Sequence, residues 1–152
     1  MIRYVIGDIF EHEVDGVVNP VNCDGIMGKG LALAFRNRFP DNYVKYVKAC
    51  KLNNLDIGIM FITFDQKEYP YVINFPTKKT WRMKSKIEWI EAGLVDLRWA
   101  IVNYEMLSIA VPALGCGLGG LNFEQVQPLI EKHLGDLKDV SITVYKQFEK
   151  RR

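Results

Sequence analysis

Short β-rich apolar runs and longer stretches with apolar residues every three or four positions take turns along this chain. Residues 2-IRYVI-6 and 14-VDGVVNP-20 are of the first kind, and each closes on turn-forming residues. Residues 30–39, GLALAFRNRF, have helical spacing, and Pro40 stops the run. Asp41 is expected to cap a second helix over 43-YVKYVKACKL-52. Two strands are predicted at 57-IGIMFITF-64 and 71-YVINF-75, joined by the polar turn DQKEYP. From about 85 to 104, Ile87, Ile90, Leu94, Leu97 and Ile101 form one apolar stripe of a long helix. A buried strand at 107-LSIAVPAL-114, a helix over 122–134 and a last strand at 140-VSITVY-145 complete the pattern. Strands alternating with helices, with continuous apolar runs such as SIAV, predict a three-layer α/β/α domain on a mixed, mainly parallel sheet. In such sheets ligands bind beyond the carboxyl ends of the strands.

Composition narrows the function classes. The 152 residues suit one domain over 1–152, with no repeat or low-complexity linker. An apolar fraction of 49% and an aromatic fraction of 12% exclude a disordered or collagen-like chain. A net charge of +2 gives no strong global field toward nucleic acid or a membrane. Cys23, Cys50 and Cys116 are odd in number and far apart, which argues against a disulfide framework. With two histidines and no C-x-x-C, no metal is expected, nor any cofactor. Arg3, Asp8 and Glu11 interrupt any signal-like run, and no stretch reaches the roughly 18 apolar residues of a membrane helix. These features lead to the expectation of a reduced, cytoplasmic domain without membrane contact.

Three predicted strand ends run into unusual loops. In 19-NPVNCDGIMGKGLA-32, Gly25, Gly28 and Gly30 leave the backbone bare just before a helix, which makes an anion site. Lys29 adds charge there, without the context of a Walker loop, and Asn19 and Asn22 suit sugar hydroxyls. The competing reading is a structural turn with an asparagine cap. In 111-VPALGCGLGGL-121, Gly115, Gly117 and Gly120 fit G-x-G-x-x-G between a strand and a helix. The loop comes late, and no acid closes a following strand about 20 residues on, so a nicotinamide site is disfavoured while diphosphate binding stands. In 74-NFPTKKTWR-82, Lys78, Lys79 and Arg82 crowd beside Trp81. That stretch reads as a solvated basic loop, as a single-stranded nucleic-acid contact, or as the source of a ligand-binding or nucleophilic lysine. Asp8, in 7-GDIF-10, is a turn residue or an acceptor for an exocyclic amine.

Taken together, 7-GDI-9, 17-VVNPVNCDGIMGKGLA-32 and 111-VPALGCGLGGL-121 resemble a macro domain, a family that binds ADP-ribose on a three-layer fold. The resemblance covers nearly the whole chain. NFPTKKTWR and PALGCGLGGL are most similar to the bacterial DNA-directed ADP-ribosyl glycohydrolases, antitoxins of thymidine-modifying toxins, and more distantly to the human terminal ADP-ribose glycohydrolase. The resemblance implies that Asp8 takes the adenine amine with Ile9 beside it, and that Asn22 faces the distal ribose. Gly28, Lys29, Gly30, Gly115, Cys116, Gly117 and Leu118 would wrap the diphosphate and that ribose. Lys78 would be catalytic, and Tyr145 would lie on the adenine. Gly119, also placed at the ligand, stands where the human relative has an aspartate that works with the lysine. The resemblance therefore implies a lysine acting without that acid, on ADP-ribosylated thymidine in DNA first and on acidic protein side chains second. Lys79, Trp81 and Arg82 would touch single-stranded DNA, and a cognate ADP-ribosyltransferase toxin is an expected partner. The bacterial members carry a further C-terminal region beyond the point matching Arg152, so the enzymatic expectation ranks ahead of toxin binding. The alternatives are a non-catalytic ADP-ribose reader and an ADP-ribose-1″-phosphate phosphatase.

Overall fold

A computed structural model describes residues 1–65 and 68–148. Six strands form one sheet: β1 (Ile2–Gly7), β2 (Gly16–Asn22), β3 (Phe61–Asp65), β4 (Glu68–Lys78), β5 (Ser108–Pro112) and β6 (Ser141–Phe148). Their order is β1-β6-β5-β2-β4-β3, and only the β3–β4 pair is antiparallel. Four helices cover the sheet: α1 (Gly30–Arg38), α2 (Pro40–Lys51), α3 (Ile87–Asn103) and α4 (Phe123–Leu134).

The period-two alternation of each strand sends neighbouring residues to opposite faces and so defines the layers. In β2, Val18 packs with Ile90 and Leu94 of α3 and Val126 and Ile130 of α4, whereas Val17 packs with Phe35 of α1 and Phe39. β5 and β6 repeat this division, Val111 and Val144 facing α3 and α4, Ala110 and Tyr145 facing α1. Burial on both faces is why these strands read as continuous apolar runs.

Local departures from the expected elements have identifiable causes. Pro40 does not merely stop a helix. It stands in the first turn of α2 behind Phe39 as N-cap, and Asp41 lies inside that turn rather than capping it. Proline fits there because the first-turn amides have no helical acceptor. The strand expected from 57 begins only at Phe61. Gly58 has φ +84°, Ile57 N donates to Asp56 Oδ1, Ile59 N to Asp56 O, and Met60 N to Asp96 Oδ2 of α3. These amides are held by a turn and by a helix, so no neighbouring strand can pair with them. The DQKEYP turn falls on the β3–β4 hairpin, whose residues 66–67 lie outside the described residues. β4 runs well beyond the expected 71–75 and ends on Lys78.

A buried amide cluster ties α2 to the sheet. Asn19 Nδ2 and Asn42 Nδ2 both donate to Asn74 Oδ1 at 3.1 Å, and Thr63 Oγ1 donates to Asn42 Oδ1 at 2.7 Å. Asn19 is fully buried in this cluster, which removes it from sugar recognition. Among the described residues no helix is long and apolar enough to cross a membrane.

Candidate functional site

The carboxyl ends of β2, β4, β5 and β6 open into a cleft of about 960 Å³. All three unusual loops line it. From the first come Asn22, Ile26 and Gly28 to Ala32; from the second, Gly115 to Gly119; from the third, Lys78, Trp81, Arg82 and Lys84. Ile9, Tyr145 and Phe148 close the far end. A separate recess beside Phe39 holds only about 20 Å³, room for little more than a water.

Electrostatics mark the ligand as an anion. Lys29, Lys78, Arg82, Lys84 and Lys146 line the cleft, and no carboxylate among the described residues does. Backbone donors add to this field. Lys29, the N-cap of α1, makes no side-chain cap, and the first turn of α1 contains no acid. Its amides therefore face the cleft without internal partners, at the positive end of the helix. Across the cleft, residues 117–119 make a single 3₁₀ turn. Gly119 N bonds Cys116 O and Gly120 N bonds Gly117 O, which leaves the turn's first two amides, of Gly117 and Leu118, without acceptors inside it. Gly30 and Gly117 have φ +56° and +65°, and a Cβ on either would meet nothing within 4 Å. Both loops thus present bare backbone to the open cleft.

Lys78, the last residue of β4, pairs with Asn22 where the β2–β4 register shifts between Val21 and Asn22. Burial pulls its pKa below the ordinary lysine value, and no carboxylate among the described residues pairs with it. Cys116 is a poor nucleophile by contrast, because half-burial pushes its thiol pKa up. Burial also raises the Tyr145 phenol, so that ring stays neutral.

Several expected ligand residues have other partners. Asn22 Oδ1 accepts from Asp24 N at 3.0 Å, Ile26 N at 3.3 Å and Tyr46 Oη at 2.8 Å, while its Nδ2 donates to Ile26 O at 2.9 Å. It lines the cleft as the organiser of its own loop. Asp8 Oδ1 accepts from Phe10 N at 2.9 Å, a turn role, and Asp8 does not line the cleft although Ile9 does. Lys79 Nζ lies 5.5 Å from the Trp89 ring, away from the cleft, whereas Arg82 lies 5.0 Å over Trp81 at its lip.

Asp24, Lys84 and Ser85 were not singled out by sequence reasoning, yet they knit the loops together. Trp81 N donates to Asp24 Oδ2 at 3.0 Å, joining the third loop to the first. Ser85 N donates to Gly119 O at 2.9 Å, joining the third to the second. The stem of Lys84 lies against Gly120, whose added Cβ would be 3.2 Å from Lys84 Cδ. Lys84 continues a visible basic run; nothing in the sequence distinguishes Ser85 from an ordinary helix-start serine.

Known proteins share this arrangement. The profile described as Macro domain matches residues 18–130. A Mycobacterium tuberculosis protein named DNA ADP-ribosyl glycohydrolase is 44% identical over 147 residues, covering 95% of this chain and 42% of that protein. The chain thus spans less than half the length of the curated relatives it matches at this level. The macrodomain of Thermus aquaticus DarG superposes with a TM-score of 0.91 at 44% identity, covering 96% of this chain and 98% of that one. Thermosipho africanus DarTG in complex with ADP-ribose superposes with a TM-score of 0.84 at 35% identity, covering 99% of this chain and 43% of that one.

Proposed function

The chain belongs to the macro domain family, and from that premise we propose that its cleft binds ADP-ribose and that it acts as an ADP-ribosyl glycohydrolase on modified DNA. One observation carries this reading: an unpaired, half-buried Lys78 stands at the end of β4 between two glycine loops built for a diphosphate. The reaction breaks the bond between C1″ of the distal ribose and its target. Water adds to C1″, and the target leaves with a proton. Amides of the two loops would hold the diphosphate, so binding energy remote from C1″ fixes its position. Positive charge grows on the ribose as the bond breaks. An uncharged amine beside it can activate or orient the reacting group, and burial enlarges the uncharged fraction of Lys78 near neutral pH.

Thymidine in DNA is the first-choice target, and acidic protein side chains come second. The names of the relatives support DNA, as do Trp81 and Arg82 at the cleft lip, an aromatic face beside a cation that suits a base and its phosphate. An ADP-ribosyltransferase must act first to make such a substrate, and it is the partner this reading implies. The three cysteines are free, the state that a reducing compartment maintains, so the cytoplasm is the proposed place of action.

The deciding test offers three substrates to wild type and Lys78→Ala: an ADP-ribosylated thymidine oligonucleotide, an ADP-ribosylated acidic protein and ADP-ribose-1″-phosphate. Release of ADP-ribose from the oligonucleotide by wild type alone is the expected result. Binding without release from anything would make the protein a reader, and phosphate release alone would make it a phosphatase.

Two variants probe the binding parts. Gly117→Val forces a β-branched residue into φ +65° and points its side chain into the cleft, so ADP-ribose affinity by calorimetry should fall at least about 30-fold. Trp81→Ala removes a stacking face worth about 1–3 kcal/mol per base. KM for the modified oligonucleotide should rise about tenfold or more, with affinity for free ADP-ribose unchanged; equal loss on both would place Trp81 in the ADP-ribose site instead.

A further inference from the structure

Ser85 takes no part in the reaction proposed above, yet the glycine loop is shaped around it. A Cβ on Gly119 would lie 2.6 Å from Ser85 Oγ and 3.3 Å from Ser85 Cβ; one on Gly115 would meet Leu121 and Ile90 first, at 2.8 and 3.0 Å, and Ser85 Cβ at 3.2 Å. Real side chains do not stand closer than 3.0 Å, so any substituent on Gly119 must push Ser85 aside. Ser85 N also donates to Gly119 O at 2.9 Å. The residue is 7% exposed, and its hydroxyl finds no hydrogen-bond partner among the described residues. What its contacts do show is bulk set against the inside of the loop. The same point beside Gly119 lies 3.9 Å from Lys78 Cε.

We propose that Ser85 is a positioning residue: a peg, carried on the segment from Lys78 to α3, around which the 113–121 loop is wound. The peg fixes the loop's distance from Lys78 and keeps position 119 empty of any side chain beside the lysine. This inference rests on Lys78 being the catalytic residue. A carboxylate at 119 would sit against Lys78 and favour its charged form, the opposite of what the proposed chemistry needs.

The first test is Ser85→Ala, which deletes only the unpartnered hydroxyl. Its thermal midpoint should stay close to that of wild type, because no protein hydrogen bond is lost and only one buried atom is removed. Its kcat on the ADP-ribosylated oligonucleotide should nevertheless fall about tenfold as the loop loosens, with KM little changed. A merely structural serine predicts the reverse pattern, so an unchanged kcat overturns the proposal. The second test is a cycle of Gly119→Ala, Ser85→Gly and the double variant. Gly119→Ala should lose about 100-fold in kcat/KM, and the double variant should regain at least about tenfold of that loss. A double variant no better than Gly119→Ala also overturns it. If wild type itself turns over no substrate, the catalytic reading has failed separately. The same cycle then runs on ADP-ribose affinity, where the rescue must still appear.

Discussion

Lys78→Ala is expected to abolish release of ADP-ribose from the modified oligonucleotide while leaving ADP-ribose bound within a few-fold of wild type. On the proposed reading affinity comes mainly from the amides of the two glycine loops and the other cations lining the cleft, which the substitution leaves in place. In the proposed reaction turnover, by contrast, depends on Lys78, an amine whose pKa burial lowers. A positioned acid–base group contributes about 10²–10⁴-fold, and removing a nucleophile costs more. Lys78→Arg separates charge from chemistry. A guanidinium keeps the positive charge but never becomes neutral, so this variant should bind ADP-ribose and remain inactive. The pH dependence has a definite sign. The neutral fraction of Lys78 grows as pH rises through its pKa, and burial moves that pKa down toward neutrality. Wild-type kcat/KM should therefore rise with pH to a plateau reached earlier than a solvent-exposed lysine would allow. A rate falling with pH would mean that the charged ammonium is the working form. A Lys78→Ala protein retaining more than about a tenth of wild-type kcat would remove the lysine from the chemistry.

The strand ends and glycine loops were legible because their signals are local. Alternating β-rich and helical runs gave the layers, and glycines following a strand gave the bare backbone at the cleft. Errors arose where a residue's role depends on a partner distant in sequence. Asn22 is polar and lines the cleft, but its carbonyl oxygen already serves Tyr46 of α2 and the 24–26 amides, a structural role that no local signal announces. Lys79 and Lys84 look alike in a basic run. The backbone turn after β4 sends Lys79 toward Trp89 and lays Lys84 along Gly120. The run IGIM at 57–60 is as apolar as a strand, yet α3 supplies Asp96 as acceptor for the Met60 amide and withdraws it from the ladder. Ser85 is the extreme case: its importance lies in the shape of a loop some 30 residues later, and steric fit leaves no periodic trace.

Gly93→Ala is expected to destabilise the protein strongly, against what helix propensity alone predicts. Gly93 lies inside α3, a helix of 17 residues, where replacing glycine by alanine normally gains about 1 kcal/mol. Packing opposes this. An added Cβ would lie 2.2 Å from Phe75 Cζ and 2.4 Å from Cε1. The ring cannot move aside, since Phe75 is fully buried in β4 under a close-packed layer. Overpacking of this kind costs about 1–3 kcal/mol and occasionally more, and an overlap well inside contact distance belongs at the upper end. A net loss of at least about 2 kcal/mol follows, and for a chain of this size that lowers Tm by about 4–8 °C. Phe75→Leu in the same chain shortens the opposing side chain and should recover much of the loss; Phe75→Leu alone should destabilise by leaving a cavity. Calorimetric melting of the three variants checks the claim, and a higher Tm for Gly93→Ala would refute the contact. The effect should also reach the site, because Phe75 lies three positions before Lys78 on β4. Relief of the overlap by displacing β4 from α3 would carry Lys78 away from the glycine loop. Gly93→Ala protein held below its melting point should therefore lose kcat more than it loses ADP-ribose affinity.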